Sequence, residues 1–176
     1  GFLPQSCGHG ECLEKVVASL DYANRVHGPI EGTPRVRGMG FASLIHTGGG
    51  AKIYKSDGCA TIIKVDDEGW VDVFSGSQDI GQGLDTVLRQ IVAEVLGFKA
   101  EKVNVNVGDT DACGWDAGCH ASRSTFVAGN SARACAEIVH AQMVANFAAQ
   151  LGIPEEEVQI KNGVVTGLSI EDPEKR

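Results

Sequence analysis

The stretch from residue 60 to residue 107 constrains the fold most, because its hydrophobic period changes from two to 3.6 and back again. Residues 60–74 alternate, with Thr61, Ile63 and Val65, then Trp70, Val71 and Val73, around Asp66-Asp67-Glu68-Gly69. That pattern predicts a hairpin closed by an acidic turn containing glycine. A polar glycine loop follows, Gly76-Ser77-Gln78-Asp79-Ile80-Gly81-Gln82-Gly83. It opens into a segment with apolar residues at 84, 87, 88, 91, 92, 95 and 96, one continuous face of a helix. Gly97 ends that helix, and Val103, Val105 and Val107 resume the alternation of a strand. Strands and helices in this order point to an α+β fold.

The rest of the chain fits around that centre. Residues 1–11 read as irregular. From Cys12 to about His27 the spacing of Leu13, Val16, Val17 and Leu20 predicts a helix that Gly28-Pro29 terminates. Residues 28–35 read as a linker, and from Arg35 the chain turns strand-like and glycine-rich through Gly48-Gly49-Gly50. A loop over residues 108–121 precedes a second long helix, about Ser124 to Leu151, apolar on more than one side (Val127, Ile138, Val139, Met143, Val144, Phe147) and therefore expected to be buried. Val158-Ile160 and Val164-Val165 form a closing hairpin that turns at Asn162-Gly163, and residues 171–176 read as a frayed end. Leu96-Gly97 with Glu101, Val103, Val105 and Gly108 echoes Leu151-Gly152 with Glu156, Val158, Ile160 and Gly163 at an offset of 55 residues. The echo is either an internal duplication or a chance recurrence of helix, glycine stop and strand. In domain terms, residues 1–34 are a lead-in and residues 35–170 one α+β domain with β-hairpins and two long helices.

Composition excludes some classes of function. The net charge is −8 with lysines and arginines scattered, which argues against a nucleic-acid binder. No apolar run reaches the length of a membrane span, and the opening residues lack the pattern of a signal peptide. Six cysteines stand at 7, 12, 59, 113, 119 and 135 without a CxxC pair or a regular framework. A soluble chain in the reducing cytoplasm fits that usage better than a disulfide scaffold.

Two loop-to-helix junctions carry the chemistry. Glycines at 76, 81 and 83 allow a tight turn and close approach of backbone to a ligand, and the helix that follows aims its N–H groups and positive dipole end at the occupant of that turn. An anion such as phosphate is the natural occupant, and the Gln82 amide suits a heterocycle or an oxo group. The alternative is a plain turn. Spacing rules out a Rossmann or a Walker loop. The second junction, Ala121-Ser122-Arg123-Ser124-Thr125, is either another anion cradle or a helix capped by Ser or Thr. Cys7, His9 and Cys12, and Cys113, Cys119 and His120, lack zinc or iron–sulfur spacing and are read as ordinary thiols and imidazoles. His120 either lines the substrate side or is a loop histidine. Asp109 and Asp111 are read as loop-capping carboxylates, Trp70 as a hairpin packing residue and Trp115 as a loop anchor.

The ordered set of these segments resembles xanthine dehydrogenase/aldehyde oxidase-type molybdenum hydroxylases. Residues 76–86 with Gln90-Ile91, Ala93-Glu94 and Leu96-Gly97 are similar to the family's Gly-Gln-Gly segment. Val107-Gly108-Asp109-Thr110-Asp111, Asp116, Ala121-Ser122-Arg123 and Gly129-Asn130 follow in the family's order. Upstream, Arg37-Gly38-Met39-Gly40-Phe41-Ala42 resembles an Arg-Gly-x-Gly-x-Ala strand, preceded by Ser6-Cys7-Gly8 and Glu11-Cys12-Leu13. The resemblance runs from about residue 6 to 150 of the chain. It implies a molybdopterin cofactor, in bacteria often the cytosine dinucleotide, with Gly81, Gln82 and Gly83 against the pterin or its phosphates. Ala121 would lie near the molybdenum, with Ser122, Arg123 and Ser124 holding the cofactor. It also implies oxidation of an aldehyde or an N-heterocyclic or aromatic substrate, with electrons passed to [2Fe–2S] and FAD on partner domains or subunits.

The family's Gly-Gly-Phe-Gly-Gly-Lys, Ala-Phe-Arg-Gly-Phe-Gly and Gly-Val-Gly-Glu segments do not occur in these residues, so no residue here is assigned as the general base or as a metal ligand. The chain is therefore expected to be a fragment, or one chain of a split catalytic subunit, without turnover of its own. The glycine-loop and Ala-Ser-Arg forms resemble the bacterial multi-subunit branch, where hydroxybenzoyl-CoA-type reductases also occur. The alternative from another class is a non-catalytic assembly or interaction subunit of such a complex.

Overall fold

The computed structural model describes residues 7–25, 27–44, 46, 48 and 57–168, and the chain forms two units, Gly1–Ile45 and His46–Arg176. The first helix, α1, spans His9–Ser19 and is shorter than the spacing of its apolar residues suggests. It stops because Asp21 takes a left-handed conformation (φ 48°), and the Asn24 amide then donates to the Asp21 carboxylate at 2.8 Å. Gly28-Pro29 does not end this helix. Instead it forms β1 (Gly28–Pro29), paired antiparallel with β2 (Val36–Arg37), which is all of the strand expected from Arg35 among the described residues. No described residue of this unit is buried. The unit boundary falls after residue 45, downstream of the division expected after residue 34.

The second unit follows the sequence closely. β3 (Thr61–Val65) and β4 (Val71–Ser75) form the predicted hairpin, with Thr61 opposite Ser75 and Val65 opposite Val71. The Asp66 carboxylate ties its turn, accepting from Glu68 N at 3.0 Å and Trp70 N at 2.7 Å. α2 (Leu84–Leu96) then crosses over so that β5 (Val103–Val107) lies parallel to β4, Val71 opposite Val103 and Ser75 opposite Val107. Parallel pairing requires such a crossover. Inward residues of β4 and β5 meet one face of α2, and Val71, Val73, Leu84, Leu88, Val92, Leu96 and Val103 are buried together.

α3 (Ser124–Leu151) closes that core; of the residues that suggested burial, Val139 and Met143 pack against it partly buried, but the fully buried positions are small. Its buried face is Ala128, Ala132 and Ala136, while Phe126 and Ile138 remain 71% and 62% exposed. Small residues let the two helix backbones approach. A Cβ added at Gly129 would stand 3.0 Å from Ile91 Cδ1. The long helix is thus one-sided, with large apolar groups on its outer face. Among the described residues, no helix is long and apolar enough to cross a membrane.

The 55-residue echo is visible in three dimensions. α2 and α3 both end on a left-handed glycine, Gly97 (φ 73°) and Gly152 (φ 68°). Phe98 N then donates back to Ala93 O, and Ile153 N to Ala148 O. A single 3-10 turn follows in each case, Ala100–Lys102 and Glu155–Glu157, and leads straight into a strand. The copies diverge at the sheet, since among the described residues β6 (Val158–Lys161) pairs with β7 (Val164–Gly167) in a separate two-stranded sheet. Their turn, Asn162-Gly163, has both residues at positive φ (55° and 78°), as a two-residue hairpin favours. Gly163 N donates to Gly97 O at 2.9 Å, docking this hairpin on the first junction.

Candidate functional site

The glycine loop after β4 is built on close backbone approach. A Cβ at Gly76 would collide with Gly114 O, so the loop over residues 108–120 lies directly on it. The chain then reaches α2 through Gly81 (φ 108°) and Gly83 (φ 81°), conformations that disfavour any L side chain. The start of α2 already holds an anion. Asp79 Oδ1 accepts from Gly81 N at 2.7 Å and Gly83 N at 3.4 Å, and Oδ2 accepts from Asp85 N at 3.3 Å. These N–H groups, Gly81 first, hold the Asp79 carboxyl below the usual carboxylate range. The helix start that the sequence offers to a phosphate is thus capped, in this structure, by the loop's own carboxylate. Asp85 behaves oppositely. Burial first, and then the charge of Asp79, raise its pKa.

Gln82 is fixed by the same loop. Its Oε1 accepts from Ile80 N at 2.6 Å and its Nε2 donates to Gln78 O at 2.9 Å. Cys119, from the second loop, also donates to Gln78 O, at 2.6 Å, so the two loops meet on one carbonyl.

The second junction is strained. Ala121 (φ 52°) and Ser122 (φ 57°) are consecutive non-glycine residues in the left-handed region, a conformation that persists only where the surroundings impose it. Helix α3 starts immediately after, at an N-cap Arg123 in helical conformation, with no side-chain cap among the described residues. Its first N–H groups consequently lack intrahelical partners. The reading of Ser or Thr as the capping residue is corrected accordingly.

Arg123 points inward. Its side chain is 2% exposed, and it pairs with Asp57 (Nε to Oδ1, 2.6 Å) and with Asp116 (Nη1 to Oδ1, 2.8 Å). Burial alone would lower the guanidinium's pKa, but the hydrogen bonds and charges of Asp116 and Asp57 outweigh it and raise it. The sequence pairs this arginine with an external anion, whereas the structure supplies two internal ones.

One cavity of about 370 Å³ lies where these parts meet. Ile80 and Gln82 line it from the first loop, Cys119, His120 and Ser122 from the second, and Ser124 and Thr125 from the first turn of α3, with His46 at its edge. Of the residues singled out from sequence, Gln82, Ser122 and Ser124 thus converge on one space. Gly81, Gly83 and Ala121 shape the backbone beside it, and Arg123 does not line it. Thr125, named in the second junction, lines it too; sequence reasoning missed Cys119 as a lining residue, and Asp79, Asp57 and Asp116 as supports. Of these, Asp79 and Asp116 carried a local signal, a carboxylate two residues before a loop glycine whose N–H it accepts.

Comparison with known proteins adds to this geometry. A model of the molybdopterin cofactor-binding domain matches residues 15–173. The probable hypoxanthine oxidase XdhD of Escherichia coli K12 is 39% identical over 131 residues, which is 74% of this chain and 13% of that protein. The putative xanthine dehydrogenase molybdenum-binding subunit XdhA of the same strain is 33% identical over 149 residues, 83% of this chain and 20% of that protein. Among solved structures, the CO dehydrogenase from Oligotropha carboxidovorans superposes with a TM-score of 0.60 at 27% identity, over 68% of this chain and 15% of its own. The quinoline 2-oxidoreductase from Pseudomonas putida 86 gives 0.57 at 31% identity, over 66% and 14%. The chain spans a fifth or less of the length of each of these proteins.

Proposed function

The chain belongs to the molybdopterin cofactor-binding domain family, and from that premise we propose that the cavity between Gln82, Ser122, Ser124 and Thr125 is one wall of the cofactor site of a molybdenum hydroxylase. The observation that carries this reading is the convergence of two loops, some forty residues apart in sequence, on one space of about 370 Å³. That volume lies at the small end of ligand sites, about 300–1,000 Å³, which suits part of a large cofactor held against further protein. The donor set fits a pterin that bears phosphate. The hydroxyls of Ser122 and Thr125 and the α3 start offer donors to anionic oxygens. That of Ser124 donates to Cys119 Sγ at 3.3 Å and can turn to do the same. The Gln82 amide, held at both ends by its own loop, offers donor and acceptor to a heterocycle without reorganising. Gly81, Gly83 and Ala121 contribute backbone, and their φ values keep that backbone turned along the cavity wall.

Within this reading the cofactor is the cytosine dinucleotide form. When bound, it supplies two-electron oxidation of an electron-poor carbon in an aldehyde, N-heterocycle or aromatic substrate, with electrons leaving to [2Fe–2S] and FAD on other domains or subunits. This chain's own residues bind and orient; its partners are the rest of the molybdopterin subunit and the iron–sulfur and flavin subunits. Six free thiols suit a reducing, cytoplasmic setting.

The test is cofactor content. Gln82→Ala and Ser122→Ala, introduced into the complete subunit, are expected to lower pterin and molybdenum bound per folded chain by roughly tenfold each. Wild-type loading in both variants would sink the assignment.

A further inference from the structure

We propose that Arg123 is a positioning residue, whose guanidinium, clamped between Asp116 and Asp57, holds the left-handed Ala121-Ser122 turn in the shape that opens the cavity between the two loops. This rests on reading that cavity as the cofactor site. The resemblance places Arg123 on the cofactor, but every N–H of its fork is already committed. Nε donates to Asp57, Nη1 to Asp116 Oδ1 and to Gly118 O at 2.8 Å, and Nη2 to Gly58 O at 2.9 Å and to Asp116 Oδ2 at 3.2 Å. Five donors meet five acceptors, and none remains for an external anion.

The acceptors come from two segments that this side chain ties together from the interior. Asp57 and Gly58 lead into β3, whereas Asp116 and Gly118 lead into the strained turn. The seam continues in the backbone, where Ala60 N donates to Trp115 O at 2.8 Å and Ala117 N to Gly58 O at 3.4 Å. Arg123 N then closes the turn itself by donating to His120 O at 3.1 Å. Residues 121 and 122 are thus held between His120, which lines the cavity, and Arg123, which is anchored in the interior. Release of the anchor frees two residues whose conformation is unfavourable on its own, and Ser122 leaves the cavity wall with them.

The two carboxylates are not equivalent. Asp116 uses both oxygens on the fork, and its Oδ1 also accepts from Gly118 N at 2.6 Å. Asp57 uses Oδ1 alone, and its buried Oδ2 has no hydrogen-bond partner among the described residues. An amide at position 57 can keep its oxygen on Nε and turn its NH2 toward the unused side. At position 116 the NH2 must face a guanidinium N–H, which opposes donor to donor.

The experiment measures pterin and molybdenum per folded chain in the complete subunit with its partners. Arg123→Lys and Asp116→Asn are expected to lower loading by about tenfold or more, while thermal unfolding stays cooperative. Lysine does not rescue, because an ammonium cannot span a planar fork. Asp57→Asn is expected to lower loading less than Asp116→Asn does, as suits loss of one charge without loss of fork geometry, and the reverse order overturns the proposal. A purely structural residue would lower folded yield without changing loading of the folded fraction. Wild-type loading in folded Arg123→Lys and Asp116→Asn overturns the proposal. Gln82→Ala and Ser122→Ala separate the two ideas: wild-type loading in both of those variants rejects the cavity assignment, whatever the arginine variants do. Should the arginine and Asp116 variants fail to fold, hydrogen exchange in the wild-type subunit decides. The amides of residues 116–123 must then exchange as slowly as those of α2, and exchange at the rate of an exposed loop overturns the latch.

Discussion

Asp79 and Asp85 sit at the same helix start, yet their carboxyls shift in opposite directions. Asp79 accepts three backbone N–H groups, a bonding pattern that favours the charged form, whereas Asp85 is partly buried beside that charge, which favours the neutral form. The consequence for stability follows from linkage. A depressed folded-state pKa contributes stability that is present above the unfolded value, about 3.9 for Asp, and is lost as pH falls through the folded value. A raised one contributes stability present below that unfolded value and lost as pH rises through the folded value. Asp79→Asn is therefore expected to lower the melting temperature at pH 7, with the deficit closing as both proteins are acidified below the usual carboxylate range. Asp85→Asn is expected to raise it at pH 7. Melting curves at neutral and acid pH check both, and a deficit in Asp79→Asn that is independent of pH would show that charge is not what caps α2.

At the scale of elements, the two helix–glycine–strand junctions offer a matched comparison. Gly97 and Gly152 have the same left-handed role, but their surroundings differ. A Cβ at Gly152 meets nothing within 4 Å, whereas one at Gly97 runs into the backbone carbonyl of Ile160. Gly152→Ala is expected to cost about 1 kcal/mol, the penalty for an L residue in that region. Gly97→Ala adds overpacking against backbone, for about 3 kcal/mol in all. Urea denaturation of the two variants checks the ranking, and equal costs would mean that the β6–β7 hairpin does not bear on Gly97. These junctions were legible in the sequence because periodicity and glycine stops are local signals. So were the β3–β4 hairpin, α2 and the Asn162-Gly163 turn. The end of α1 was not, because a left-handed Asp21 has no fixed signature and the Gly-Pro pair downstream looked like the stop. The candidate site was legible in its residue types and order, through Gln82, Ser122 and Ser124. The role of Arg123 was not, since its acceptors lie at Asp116 and 66 residues away at Asp57, and only the fold brings them to one fork.

For the whole molecule, the distribution of burial between the two units decides which part can stand alone. The unit His46–Arg176 encloses Val71, Val73, Leu84, Leu88, Val92, Leu96 and Val103 with the alanine face of α3, a continuous core of strands and helices. In the unit Gly1–Ile45, α1 has 11 residues, shorter than the 12–15 or so at which an isolated helix becomes even marginal in water. None of its described residues is buried, and a segment of this size without a core usually needs a staple or a partner surface. Its apolar residues Val16, Val17, Phe41 and Leu44 stay 39–78% exposed. Hydrophobic stabilisation scales with the area taken out of water, so this unit gains little by folding alone. A polypeptide of residues 46–176 is accordingly expected to unfold in urea as one cooperative transition followed by circular dichroism. A peptide of residues 1–45 is expected to lose its weak helical signal gradually, with no sigmoidal midpoint. A sigmoidal transition in the peptide would mean that α1 and the β1–β2 pair form a core of their own, and the burial argument would fail. The gradual loss instead makes ordering of these residues depend on apolar surface supplied from elsewhere in the subunit, in keeping with a chain that spans 13–20% of the curated relatives it matches.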